Sequence, residues 1–389
     1  MTTNIERLYE ERKKRLDITM HNGQADRVPV VSMVSTWGVY YAGYTLKEVL
    51  DDEEKGDEVV EKAYGDFYWD GIFGNPLVEG TDIYDILGGG TFALNADGMR
   101  QTKPGSIKVM NENEYPDLIK DPYDFLLNTI YPRRYKLLNG PYTDDKYKEM
   151  CTVADKIKEK GIKYKRYNDI AKSKGLIVSR QGSFFNPVDL ILDNLRDFSG
   201  IMSDIKRQPE MVKEAGLAMV QYCIDNVEHS INEPEPGCAI FAPMHLPQFL
   251  SPKDFERVYW PSFIKLANYF TNKGYVIRYY FESNYEHLYD YLQELPKGQI
   301  VGLFEDDDLR KAKKFLGNNM AIAGGMPTSL LYLGSTQECI DYAKALIDDL
   351  APGGGYIFAM NKIMLSPTDG RAENLKAVTE FAHEYGVYK

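Results

Sequence analysis

The sequence predicts an α/β protein built as a single α/β barrel, and three observations carry that prediction. Between Gly274 and Gly325 three short β-branched and aromatic runs alternate with helix-like segments. These are Gly-Tyr-Val-Ile-Arg-Tyr-Tyr-Phe running to Glu282, Ile-Val-Gly-Leu-Phe running to Glu305, and Met320–Gly325. Strand, helix, strand, helix, strand is the alternation of a parallel sheet. Second, the 389 residues contain no internal repeat, linker or low-complexity stretch, and one large barrel with an added N-terminal layer accounts for that length. Third, the apolar runs end in polar or charged residues, as strands do where chemistry collects at the C-terminal face of a parallel barrel.

Taken in order, residues 3–20 are charged with apolar positions at helical spacing (Ile5, Leu8, Tyr9, Leu16), which reads as a surface helix within an N-terminal extension over 1–26. Arg27-Val-Pro-Val-Val-Ser-Met-Val is the first buried strand, with Trp37 just beyond it. Thr45–Tyr64 reads as a helix with a threonine cap and acids in its first turn. Phe67–Gly74 is a second strand. Residues 91–146 are rich in Pro, Asn, Asp and Tyr with little periodicity, which predicts a loop-rich insertion with short helices over the barrel mouth. Tyr147–Lys174 is a basic helix. Gly175–Gly182 is a strand ending at Arg180 and Gln181, and a helix follows through Val188–Leu195. Pro209–Ile231 is a long amphipathic helix. Gly237–Met244 is a strand that delivers His245 to its end. Ser251-Pro-Lys-Asp opens a helix that Pro261 should kink. Beyond the Gly274–Gly325 stretch come a helix over 335–350, the strand Gly355–Met360 and a closing helix from about Arg371.

Composition narrows the function. With 46 basic and 58 acidic side chains the net charge is −12, and no basic run offers a site for nucleic acid or an anionic membrane. No stretch reaches the roughly 18 apolar residues that a membrane helix needs. The N-terminus is too polar for a signal peptide. Four scattered cysteines with no Cys-x-x-Cys pair argue against a disulfide framework or a cysteine-rich zinc module, and the chain reads as cytoplasmic. Its 29 Tyr and 17 Phe suit a pocket for a flat or apolar ligand, although most such rings pack in cores.

The residues singled out for chemistry sit at predicted strand ends. Glu282 and Glu305, at neighbouring ends, share one pocket mouth as general acids or metal ligands; buried salt bridges or helix-start acids are the alternative. His245 is a third metal-ligand candidate, or a hydrogen-bonded structural histidine. Arg180, Gln181 and Asn284 are candidates to orient substrate. Trp37, Tyr41 and Tyr280 are candidates for an aromatic wall, and Met326 for a contact at the glycine-rich strand end. Gly88-Gly-Gly and Gly353-Gly-Gly lack the spacing of phosphate loops.

Several of these segments together resemble the uroporphyrinogen decarboxylase superfamily, over nearly the whole chain. They are Arg27-Val-Pro-Val, Leu250-Ser-Pro-Lys-Asp-Phe, Ala323-Gly-Gly-Met-Pro with Leu333-Gly-Ser, Gly353-Gly-Gly-Tyr-Ile-Phe, Ser366-Pro-Thr and Glu373-Asn-Leu-Lys-Ala. The resemblance implies a single (β/α)8 TIM barrel. The chain departs from both main branches of the family. No arginine stands between Arg27 and Arg100, where true decarboxylases of the tetrapyrrole bind its carboxylates with guanidinium forks. The zinc-binding His-x-Cys of the corrinoid-dependent methyltransferases reads Tyr280-Phe-Glu282, and the late cysteine falls near Lys362. What remains is a harder His/carboxylate set, His245, Glu282 and Glu305, suited to zinc that polarises oxygen rather than sulfur.

The resemblance therefore implies an O-demethylase-like methyltransferase. Its methyl donor would be oxygen-linked, such as a methoxylated aromatic, and its acceptor a corrinoid on a separate corrinoid protein, since no Asp-x-His-x-x-Gly corrinoid signature occurs in this chain. A homodimer is compatible with it. The alternatives are a metal-free decarboxylase of a small or aromatic acid, clamped by Arg180, and a non-catalytic ligand-binding barrel.

Overall fold

Short strands, each too short to hold a sheet alone, pair edge to edge until the first meets the last. In a computed structural model describing residues 4–74, 81–94, 100–103, 105, 107–231 and 233–389, they are β1 (Val31–Ser32), β2 (Gly71–Ile72), β3 (Ile177–Val178, continued past Ser179 by Arg180–Ser183), β4 (Ala239–Met244), β5 (Ile277–Phe281), β6 (Ile300–Phe304), β7 (Ala321–Met326) and β8 (Tyr356–Met360). Every neighbouring pair is parallel, in the order β1-β2-β3 and β3-β4-β5-β6-β7-β8. β8 returns to β1 through the parallel bridge Val30↔Phe358, where the Phe358 amide donates to Pro29 O at 2.9 Å. The ring is the (β/α)8 barrel that the sequence predicts.

The later strands are apolar on both faces except at Arg278 on β5, because side chains inside the barrel and those under the helices are alike removed from water. Their side chains and those of the helices form one continuous core running from Leu16 to Ala382. Gly325, at the end of β7, has a φ of +103°, and a Cβ there would meet Leu309 Cδ1 at 2.8 Å and Leu346 Cδ2 at 3.1 Å. The glycine lets the helices Leu309–Leu316 and Thr336–Leu350 pack against the strand end.

Local caps explain where the structure trims the predicted helices. The Thr45–Tyr64 segment divides at Asp52, whose carboxylate accepts the Glu54 and Lys55 amides and starts a second helix, Glu53–Gly65. Asp144 and Asp145 fill the first turn of a 30-residue helix, Asp144–Ser173, capped by Thr143 and beginning just ahead of the predicted Tyr147. Pro209–Ile231 is two helices, Pro209–Ala218 and Val220–Glu228. Around Pro261 the backbone widens into a π-turn at Phe255–Tyr259 before the helix Trp260–Asn272.

One expectation about position is corrected. The N-terminal helix, Asn4–Met20, does more than cover surface: it plugs the N-terminal end of the barrel. Arg12 donates to the carbonyls of Lys174 and Gly175, Arg15 pairs with Asp26 and Asp70, and Asp17 accepts the Gly237 amide, each at the start of a strand. Residues 95–99, 104 and 106 of the 91–146 insertion lie outside the described residues; its described helices dock on the segment after β3. There the Tyr115 hydroxyl donates at 2.8 Å to Asp204, which also receives Arg196 in a fully buried pair. No described helix is long and apolar enough to cross a membrane.

Candidate active site

At the C-terminal end of the barrel a cavity of about 570 Å³ opens between the ends of β1, β2, β3, β5, β6 and β8. Its apolar wall is Met33, Val34, Phe73, Phe241, Ile363 and Leu365. Its polar groups are Ser35, Arg180, Tyr280, Glu282, Glu305, Lys362, Ser366 and Asp369. Strand alternation explains the choice on β5, where Tyr280 faces inward and Glu282, two residues on, takes the same side just past the strand.

The two glutamates stand in different environments. Glu282 Oε1 lies 3.2 Å from His245 Nε2, and His245 Nδ1 lies 2.6 Å from Asp193 Oδ2, so the imidazole bridges two carboxylates. Burial alone would lower the His245 pKa, but the bonds to Asp193 and Glu282 and the charge of Asp189 outweigh it and raise it to about 11. The ring is an imidazolium at neutral pH. Asp189, one helical turn before Asp193, is fully buried and accepts the Leu246 amide at 2.8 Å and the Tyr259 hydroxyl. Burial pushes its carboxyl up to about 7 against the pull of His245.

Glu305 is held from the backbone. Ser283, directly after Glu282, adopts a φ of +63°, and its amide donates to Glu305 Oε2 at 3.1 Å. Asn361 donates to the Glu305 carbonyl at 3.2 Å. Burial, with the charges of Asp306 and Glu282, raises the Glu305 carboxyl above its ordinary range, against the Ser283 bond and Lys362. Burial and the same two glutamates push the neighbouring Tyr280 phenol well up, so it stays a neutral donor. The cavity thus holds a carboxyl biased toward its protonated form beside a carboxylate–imidazolium chain. Such a split separates acid from base.

Of the residues expected at the site, Arg180, Tyr280, Glu282 and Glu305 line the cavity, and His245 backs Glu282. Among the described residues no three His, Cys, Asp or Glu side chains are grouped to hold a metal ion. His245 Nδ1 is held by Asp193 and its Nε2 faces Glu282, while Glu305 is turned to the Ser283 amide. Trp37 and Tyr41 are not part of the wall; their rings stack on each other 5.2 Å apart, with Trp37 Nε1 bonded to Gly370 O and the Tyr41 hydroxyl to Asp66. Gln181, next to Arg180 on β3, faces a groove behind the strand and accepts the Glu235 amide. Asn284 is exposed and caps the turn at Glu286. Met326 is buried outside the cavity.

Sequence reasoning missed Asp189 and Asp193, which no motif ties to His245, and the Lys362–Asp369 pair, 3.4 Å apart at the rim. A lysine directly after the last strand was the one available signal.

Comparison with known proteins agrees with this architecture. The family model described as uroporphyrinogen decarboxylase (URO-D) matches residues 168–385, more than half of the chain, which therefore belongs to that family. Among solved structures, a methyltransferase from Methanosarcina mazei superposes with a TM-score of 0.63 at 14% identity, covering 96% of this chain and 98% of that one. At that identity the likeness is one of fold. No curated protein matches the chain.

Proposed function

We propose that this member of the uroporphyrinogen decarboxylase family is a methyltransferase that removes a methyl group from an oxygen-linked donor bound in the barrel cavity. A corrinoid on a separate protein supplies the nucleophile that accepts the methyl group. The observation that carries the reading is the pairing of Glu305, a carboxyl biased toward protonation, with Glu282 and its imidazolium in one aromatic-walled cavity.

When the methyl–oxygen bond breaks, the electron pair stays on oxygen, and Glu305 delivers the proton that makes the leaving group a neutral phenol or alcohol. The Tyr280 phenol adds a hydrogen-bond donor to the same oxygen. Phe73, Phe241 and Tyr280 form flat apolar walls that hold a ring and keep water from the proton. The positive charge of His245 steadies Glu282 beside the developing negative oxygen. No step is routed through a metal; if zinc were bound, His245, Glu282 and Glu305 would hold it and it would polarise the leaving oxygen. The methyltransferase from Methanosarcina mazei, alike in fold, lends support to this class of reaction.

The test is incubation of the purified chain with reduced cobalamin and a panel of aryl methyl ethers, reading release of the demethylated phenol beside the cobalamin spectrum. Release that disappears in Glu305→Gln supports the reading; no release from any ether counts against it. Metal content measured on the same preparation tests the zinc expectation, since near-stoichiometric zinc lost in Glu282→Ala would place Glu282 among the ligands of a metal.

A second reading is favoured by Arg180, a cation in the cavity with no carboxylate partner among the described residues. It is decarboxylation of an acid clamped by that guanidinium, with Glu305 returning a proton to the carbon. Carbon dioxide release in the absence of cobalamin distinguishes it.

A further inference from the structure

The barrel interior holds a second guanidinium that the proposed chemistry does not use. Arg278 lies on β5 two residues below Tyr280, faces the same way, and is 3% exposed. Its Nη1 donates to Ser179 Oγ at 3.1 Å, and its Nη2 has no hydrogen-bond partner. No carboxylate lies within ion-pair distance among the described residues. Among the described residues the other fully buried arginines are compensated: Arg12 is 3.8 Å from Asp70, Arg15 pairs with Asp26 and Asp70, and Arg196 with Asp204 at 2.6 Å. A buried charge without a counter-charge is strongly unfavourable. Arg278 is the exception among these four.

Its surroundings say where the missing charge belongs. The Arg278 guanidinium lies 5.5 Å from the Phe73 ring centre, Phe73 meets Phe241 edge to face at 4.6 Å, and Arg180 lies 5.2 Å from the Phe241 ring. Phe73, Phe241 and Arg180 all line the cavity. At the β-bulge between Arg180 and Gly182, Gln181 is the extra residue and Arg180 keeps its register with Ala239. Two guanidinium groups therefore bracket one aromatic pair, Arg180 on the cavity wall and Arg278 buried beneath it, and burial together with the charge of Arg180 pulls the Arg278 pKa down to about 10.

We infer that Arg278, Ser179 and Arg180 form an anion subsite at the cavity floor, and that the substrate carries a carboxylate that enters it beside the Phe73–Phe241 pair. The aromatic rings then hold the substrate's apolar body while its other end meets Glu305 and Glu282 at the mouth. The inference rests on the same cavity being the substrate site, but not on which bond is broken there. The Arg278 Nη2 donor, idle in the empty protein, makes its bond when the carboxylate arrives, so the two guanidinium groups become compensated together.

Binding separates this from the reaction. In low-chloride buffer, isothermal titration with benzoate and with benzyl alcohol, its neutral analogue, is compared in wild type, Arg278→Met and Arg278→Lys. Wild type is expected to prefer benzoate by tenfold or more. Arg278→Met should lose that preference while binding benzyl alcohol unchanged, and Arg278→Lys should keep part of it. Thermal melts guard against misfolding: Arg278→Met, freed of an uncompensated charge, should melt at or above wild type without ligand, and benzoate should raise the wild-type midpoint alone. Equal affinity of wild type for the two ligands, or benzoate binding unchanged in Arg278→Met, overturns the subsite. Benzoate binding through Arg278 in a protein that transfers no methyl group would sink the methyltransferase reading and leave the subsite standing.

Discussion

Replacing His245 with Asn tests the central electrostatic feature of the site. The imidazolium sits 2.6 Å from Asp193 and 3.2 Å from Glu282, with about a quarter to a third of each of the three side chains exposed. Its pKa rises from 6.5 to about 11 in the folded chain, and each unit corresponds to about 1.4 kcal/mol of linkage, an upper bound near 6 kcal/mol. Solvent at the open mouth screens the pair, and we take about 2–3 kcal/mol as the recoverable part. The sign follows from the raised pKa. Below pH 6.5 the imidazole is protonated folded and unfolded, and the full contribution is present. As pH rises from 6.5 toward 11 the unfolded histidine has lost its proton while the folded one keeps it, so the contribution drains away. Urea denaturation of wild type and His245→Asn at half-unit steps from pH 6 to pH 10 should therefore show a stability gap of about 2–3 kcal/mol at pH 6 that narrows steadily as pH rises. A gap constant across that range, or an imidazole resonance titrating near pH 6.5, would refute the argument. Either result would mean that the folded protein leaves the His245 pKa where the unfolded chain has it.

Glu305→Gln should lower turnover by about 10²–10⁴-fold with folding unchanged; because the protonated carboxyl is the active form, wild-type rate should also fall as pH rises through its elevated pKa, which a pH–rate profile reads directly. Arg196→Met strands the Asp204 carboxylate in the core beside Tyr115 and should cost about 3–5 kcal/mol in denaturant titration, whereas an exposed pair such as Lys148–Asp145 should cost under about 1 kcal/mol. Ser283→Gly should keep wild-type activity, because glycine accepts the left-handed backbone at least as well. Ser283→Val should lose about 1–3 kcal/mol of stability and most activity, since a branched side chain resists that conformation and the amide leaves Glu305.

Much of the barrel was legible because buried parallel strands read as continuous apolar runs, and β4 to β8 each supply one. The first two strands contribute only Val31–Ser32 and Gly71–Ile72 to the sheet, too few residues to carry a period. The plugging role of Asn4–Met20 was hidden by its charge: hydropathy places Arg12 and Arg15 outside, and only the partners waiting at the strand starts, Asp26, Asp70 and two backbone carbonyls, allow them inside. Strand ends gave the site its cavity residues for the same reason that they gave the fold. They could not decide between neighbours: Arg180 and Gln181 are adjacent, and the bulge there, invisible in sequence, decides which of them reaches the cavity.

The metal expectation shows where such reading stops. Placing His245, Glu282 and Glu305 at neighbouring strand ends required nothing beyond the βα alternation, and all three do stand there. Whether three such groups converge on an ion depends on what else touches them. Asp193 meets His245 Nδ1 from a helix 52 residues earlier, the kind of partner that fixes the orientation and tautomer of the ring. The left-handed turn at Ser283 offers Glu305 a backbone N–H, a partner no side-chain pattern records. A contact from a helix far back in the chain and one backbone dihedral set how these three residues face one another, and strand ends alone record neither.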